Sequence, residues 1–146
     1  MNASLRKPGI ALAVATLMIS FLFSGAAMAI APIKIKLSGS QEVPPVKTSA
    51  KGSGKIVVGD DKSVSGSVKT SKIKGTAAHI HQGAKGENGP PIITLTTSSP
   101  GKWTVPAGAK LTDEQYQSLK DGNLYINVHS DAHKGGEIRA QLKLKP

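Results

Sequence analysis

Four histidines stand in two short clusters, His79 with His81 and His129 with His133. In a strand, residues two apart point to one face, so His79 and His81 present their rings side by side while Ile80 faces the other way. A third or fourth imidazole from a neighbouring strand end would complete a nitrogen site for a transition metal. The chain has no cysteine, so any such metal must sit on histidine nitrogen. That ligand set suits copper or zinc rather than calcium or magnesium, which take oxygen, and copper ranks above zinc in affinity for nitrogen. The expectation is one mononuclear copper on His79, His81, His129 and His133, with no separate zinc site evident. The competing reading of the same residues is two exposed polar rims that never meet.

These histidines need strands to position them, and the hydropathy pattern supplies strands. Ile33, Ile35 and Leu37 alternate with Lys34 and Lys36, the period of a half-buried strand. Lys55–Val58 and Ser63–Val68 flank Gly59-Asp60-Asp61-Lys62, a hairpin signal. Further strands are predicted over Thr76–His81, Ile92–Thr97, Leu124–His129 and Glu137–Leu144, and Gly39–Gly54 reads as a connection. In the last strand, Ile138, Ala140, Leu142 and Leu144 share one face while Glu137, Arg139, Gln141 and Lys143 share the other. Thr112 and Gln115 have capping-box spacing and Gly122 supplies a stop, which predicts a short helix over Asp113–Lys120. The sum is an all-β fold, an antiparallel Greek-key β-sandwich or barrel with one short connecting helix.

The 146 residues suit a single domain, with 19 basic and 9 acidic side chains and a net charge of +10. Arg6 and Lys7, the apolar run Ile10–Phe23 and the small residues ending at Ala29 have the layout of a secretory signal peptide over residues 1–29, leaving a single β domain over 30–146. The apolar run is short for a membrane span, so no stable membrane insertion is expected after cleavage. Residues 30–146 keep 17 basic and 9 acidic side chains, a net charge of +8. Localisation is therefore expected to be periplasmic or secreted. The lysines are dispersed in sequence among Ser, Thr and Gly. Trp103, Tyr116 and Tyr125 are too few aromatics for a base-stacking platform, so no nucleic-acid partner is expected.

Several words of the sequence go further. Leu37-Ser-Gly-Ser-Gln-Glu-Val-Pro-Pro-Val46, Ala77-Ala-His-Ile-His-Gln-Gly83, Gly89-Pro-Pro-Ile92, Leu124-Tyr-Ile-Asn-Val-His-Ser130 and His133-Lys-Gly-Gly-Glu-Ile-Arg139 together resemble a CHRD domain, the module first named from chordin, over essentially the whole of residues 30–146. His79-Ile-His81, His129 and Gly-Gly-Glu-Ile-Arg139 are also similar to the copper site of the Cu/Zn superoxide dismutases and their copper-only relatives. That second resemblance implies a Greek-key barrel with His79, His81 and His129 as copper ligands and Arg139 as the catalytic residue that guides an anion. It gives His133 no counterpart, leaving it a fourth ligand or a supporting group. The chain departs from that family in lacking both a cysteine pair and a zinc loop, so only a copper-only site fits.

Under this likeness, superoxide is the small anionic partner, and copper passes one electron from a first superoxide to a second, giving oxygen and peroxide. Arg139 and the positive surface would gather the anion. For Arg139 the plainer reading is an ion pair with Glu137 or Asp131. Two other functions use the same chain: a periplasmic copper carrier or buffer without catalysis, and a metal-free adhesion or interaction module. Glu42 and Glu87 read as solvent-facing, with support of a histidine as the alternative. Trp103 reads as a core or rim anchor. Ser130 lacks a nucleophile-elbow motif, which argues against a hydrolase.

Overall fold

The computed structural model describes residues 31–144; the expected leader over residues 1–29 lies outside the described residues. Nine strands follow in chain order, β1 (Ile33–Ser38), β2 (Lys51–Val58), β3 (Val64–Ser71), β4 (Gly75–Gln82), β5 (Pro91–Thr94), β6 (Thr96–Ser99), β7 (Lys102–Thr104), β8 (Leu124–Ser130) and β9 (Ile138–Leu142). Among the described residues one α-helix, α1 (Asp113–Lys120), lies between β7 and β8. It starts where the sequence says it must. The Thr112 hydroxyl accepts from the Gln115 amide, and the Gln115 side chain accepts from the Thr112 amide.

All strand pairs are antiparallel, in the order β5-β4-β8-β9-β1-β2-β3-β7-β6. The two ends of that order are consecutive pieces of one chain segment, separated only by Leu95. The Leu95 amide still donates to Ala78 O at 2.9 Å, and its side chain is buried. The sheet therefore closes into a barrel through a single strand bent at Leu95, one half pairing with β4 and the other with β7. The predicted strand Ile92–Thr97 is this bent segment. Closure removes the long free edges that would invite pairing with another chain.

The barrel interior follows the period-two alternation. Ile33, Ile35 and Leu37 from β1, Ile56 and Val58 from β2, Val68 from β3, Ala78 and Ile80 from β4, Ile126 and Val128 from β8, and Ile138, Ala140 and Leu142 from β9 form one buried cluster. Trp103 and Leu119 join it, so Trp103 is a core anchor.

Alternation alone misjudges the outer faces of β8 and β9. Arg139 is 1% exposed and Glu137 is also buried, although the pattern places them on a solvent face. Two loops fold over that part of the barrel, the segment after β1 and the segment joining β4 to β5, so β9 is covered on both sides. Glu137 is satisfied there by the Thr48 and Ser130 hydroxyls, at 2.7 and 2.5 Å. Glu42 is a further correction: it is 4% exposed and lies under the first loop, not in solvent.

Candidate metal centre

The covered patch is built by three adjacent strands. In β4, β8 and β9, His79 pairs with Asn127 and Asn127 with Arg139; one rung along, His81 pairs with Tyr125 and Tyr125 with Gln141. His129 pairs with Ala77 on the next rung in the other direction. Because the side-chain period of a strand is two, these residues share the outer face while Ala78, Ile80, Ile126 and Val128 fill the core behind them.

Three of the four expected ligands converge. One ligand nitrogen from each of His79, His81 and His129 lies within 4.8 Å of the other two. His79 Nδ1 and His129 Nε2 are 3.0 Å apart. His133 is not part of the cluster. Its backbone instead closes the turn after β8, its amide donating to Ser130 O at 3.1 Å and its carbonyl accepting from Gly136 at 3.0 Å.

A backbone carbonyl sets the tautomer of His129. A carbonyl oxygen only accepts, so His129 Nδ1 donates to Lys134 O at 2.8 Å; His81 Nδ1 lies 2.9 Å from Gly89 O. For His129 this leaves the lone pair on Nε2, the arrangement that metal-binding histidines use when the other nitrogen is tied to backbone. His129 Nε2 accepts the proton of His79 Nδ1. A metal ion on those two nitrogens would replace that shared proton. Burial, and the neighbouring imidazoles after it, hold His79 below the usual histidine range. Burial lowers His81 against the opposing pull of its bonds to Gly89 and Asn127. Both rings thus favour the uncharged, ligating form.

His81 is held by more than one contact. Its ring stacks on Tyr125 with centroids 4.7 Å apart and planes at 5°, and the Arg139 guanidinium lies 3.4 Å from the same ring's centroid. The histidine comes from β4 and the arginine from β9, on opposite sides of β8, so the tyrosine ring is held between them. His81 Nε2 lies 3.0 Å from Asn127 Oδ1, a second acceptor, so the neutral ring donates its one proton to either Gly89 O or Asn127 Oδ1. That amide is the group a metal would have to displace from His81.

Arg139 does not make the ion pair with Glu137 or Asp131 that its position invites. Its guanidinium donates to Glu87 O at 2.8 Å, Ala84 O at 3.1 Å, Gln141 Oε1 at 3.1 Å and Asn88 Oδ1 at 3.4 Å. These acceptors are neutral, and burial lowers the arginine's pKa from its ordinary value. The side chain clamps the β4–β5 loop onto the sheet. Gln141 assists by donating to Gly83 O at 2.9 Å and Gly122 O at 2.8 Å. Gly89 in that loop has no room for a side chain, because an added Cβ would fall on the Gln82 carbonyl oxygen. Glu87 is exposed and contributes only its backbone.

Glu42 closes the patch from the other loop. Its Oε1 is buried without a hydrogen-bond partner. At Gly136, whose φ is +129°, an added Cβ would stand 2.5 Å from both Glu42 Oε1 and Asn127 Nδ2, so only glycine fits between them. Burial pushes the Glu42 carboxyl up to about 7, against the lowering pull of Arg139 and Asn127. The folded protein therefore keeps a proton that the unfolded chain, near 4.5, gives up. Stability contributed this way is present below about pH 4.5 and is lost as the pH rises through 7. Glu42→Gln, which mimics the protonated acid, is expected to stabilise the fold by about 2 kcal/mol at pH 8 and to change little at pH 4. Urea denaturation at the two pH values checks the sign.

Tyr125 and Asn127 also line the cluster, although neither stands out in the sequence as a candidate site residue. The signal was there: Tyr125, Asn127 and His129 share one face of β8, in register with His79 and His81.

A closed antiparallel barrel with three convergent imidazoles on its outer surface defines a class, a small all-β domain with a candidate metal centre. The chain belongs to the CHRD domain family, whose model matches residues 33–142, from the first residue of β1 to the last of β9. No curated protein and no solved structure matches the chain.

Proposed function

We propose that this chain is an exported CHRD domain, periplasmic or secreted after loss of residues 1–29, that binds one copper ion through His79, His81 and His129. The observation that carries the reading is the pair of nitrogens 3.0 Å apart, with a third within 4.8 Å. Two nitrogens each about 2 Å from one ion lie about 2.8 to 3.3 Å apart between square and tetrahedral angles, so His79 and His129 are already at ligating separation. Side-chain rotation of His81 away from Asn127 supplies the remainder. Copper is favoured over zinc because Cu(II) stands above zinc in intrinsic affinity for nitrogen donors. His133 takes no ligand role in this reading.

Carriage or buffering of copper needs no more than these residues. Superoxide dismutation is the second reading, favoured by the partial exposure of His79 and His129, which leaves one side of the cluster open to a small anion. Copper, when bound, would supply one-electron exchange with superoxide. The chain's own residues orient the three imidazoles and hold His79 and His81 toward the neutral form, and Arg139 contributes chiefly by fixing the loop beside His81.

Titration with Cu(II) followed by electron paramagnetic resonance tests the metal reading. The expected result is one equivalent bound, with hyperfine coupling to three nitrogens. Affinity no tighter than that of a variant lacking all three histidines would sink it. Superoxide consumption per bound copper separates the two functions. Turnover above that of free copper supports dismutation, and turnover at or below it supports carriage.

A further inference from the structure

The lysines scattered in the sequence are gathered by the fold. Strands β1, β2, β3 and β7 run side by side, and their register places Lys34 opposite Lys55, Lys36 opposite Ser53, Ser38 opposite Lys51, Ser53 opposite Lys69, Lys55 opposite Ser67 and Lys69 opposite Lys102. All of these point away from the core formed by Ile35, Leu37, Ile56, Val68 and Trp103. The result is one sheet face with six lysines, interleaved with Ser38, Ser53, Ser67, Ser71 and Thr104. It contains no acidic side chain.

Two features of that face are unfavourable for folding by itself. Lys34–Lys55 and Lys69–Lys102 are like-charge pairs directly across from each other, an arrangement that destabilises a sheet. Among the described residues none of the six lysines is paired with a carboxylate; the two surface ion pairs use Lys62 and Lys110. Six uncompensated ammonium groups on one side of a small barrel create a local positive potential that favours a partner with regularly spaced negative charge.

The relief of the face narrows the partner. Two shallow grooves of about 440 and 510 Å³ cross it. The first is lined by Lys36, Lys51, Lys69 and Ser71, the second by Lys34, Lys36 and Lys55, and they share Lys36 and Ser53. The floor is low because short serines stand between the lysines, while Gly52 and Gly54 fall on the core-facing side of β2. Together the grooves form one trough, with positive charges about 7 Å apart along a strand and about 5 Å apart from strand to strand.

We propose that this trough binds a linear acidic polysaccharide, its carboxylates on the lysines and its hydroxyls on the intervening serines. The face bears no aromatic ring on which a nucleic-acid base could stack. Its outward aliphatic, Val57, is half-buried, and no large apolar side chain stands exposed to enter a bilayer, as surface-seeking segments do. An extended sugar chain needs neither. This site is separate from the histidine cluster and does not depend on a metal.

The probe is an alginate oligosaccharide at low salt, measured by calorimetry against the full chain. The wild type is expected to bind with an affinity that falls as salt rises. The variant carrying Lys34→Gln, Lys55→Gln and Lys69→Gln is expected to lose at least about tenfold in affinity while its melting temperature stays level or rises, because repulsion is removed. Lys110→Gln with Lys143→Gln, off the face, should bind as the wild type does. Equal loss in both variants would reduce the effect to net charge and overturn the site. Tighter binding to single-stranded DNA of matched charge, or to phosphatidylglycerol vesicles, would overturn the choice of partner, as would absence of alginate binding by the wild type.

Discussion

Replacing Arg139 with methionine is expected to destabilise the domain by about 3 kcal/mol, the largest single-residue loss outside the apolar core. Methionine fills much of the same volume, so the cost is not mainly a cavity. It comes from the carbonyls of Ala84 and Glu87, which lose donors inside a covered patch, and from the Tyr125 ring, which loses the cation above it. A buried acceptor left unpaired costs about 1–3 kcal/mol. The loop from Gly83 to Pro90 should loosen as a consequence, and with it Gly89, whose carbonyl lies beside His81 Nδ1. Arg139→Lys is the informative companion. It keeps the charge but replaces a rigid fork, whose two nitrogens reach Ala84 O and Glu87 O separately, with a single ammonium nitrogen that must serve both in poorer geometry. A clamp predicts a loss of about 1–2 kcal/mol for lysine. Guidance of an anion by charge alone predicts lysine near wild type in both stability and superoxide turnover. Guanidinium denaturation of the two variants decides between them.

The sequence made the strands and the helix legible because their signals are local. Alternation in Ile33–Leu37 and Ile138–Leu142, the hairpin glycine and aspartates after Val58, and the Thr112–Gln115 box each depend on a few neighbouring side chains. Convergence of His79, His81 and His129 was accessible for the same reason once β4 and β8 were allowed to pair. What alternation does not carry is coverage by a distant loop. Glu42 lies far from Asn127 in sequence, and nothing near it marks it for burial. Arg139 and Glu137 sit at outward positions of a strand, and only the folding of residues 39–46 and 83–90 over the barrel turns that outward face into an interior. The short β7 strand was also missed, since three residues around one tryptophan give no period to read. The lysines show the converse. Each is unremarkable in its own strand, and their meaning appears only when the register of four strands places them on one face.

Loss of one imidazole should separate the histidines that the fold brings together from the one it does not. His129→Ala removes the partner of His79 Nδ1 and one of three nitrogens within 4.8 Å. Disturbing a residue that merely orients a ligand typically costs 10- to 100-fold in metal affinity, so removing a ligand should cost about 100-fold or more. The fold should tolerate the change, because His129 is only partly buried and its ring is not part of the core. His133→Ala should leave Cu(II) affinity within about threefold of wild type, since any effect on metal must pass indirectly through the turn that its backbone already closes. His81→Ala is the sterner comparison. It loses a nitrogen and also the ring that stacks on Tyr125, so affinity and stability should fall together, by about 100-fold and about 2 kcal/mol. Competition titrations with a chromophoric copper chelator rank the three variants. Equal loss for His129→Ala and His133→Ala would mean that the turn after β8 rearranges to bring a fourth imidazole onto the metal, and the three-nitrogen site would have to be redrawn. Loss confined to His129 and His81 leaves the site where strands β4 and β8 put it.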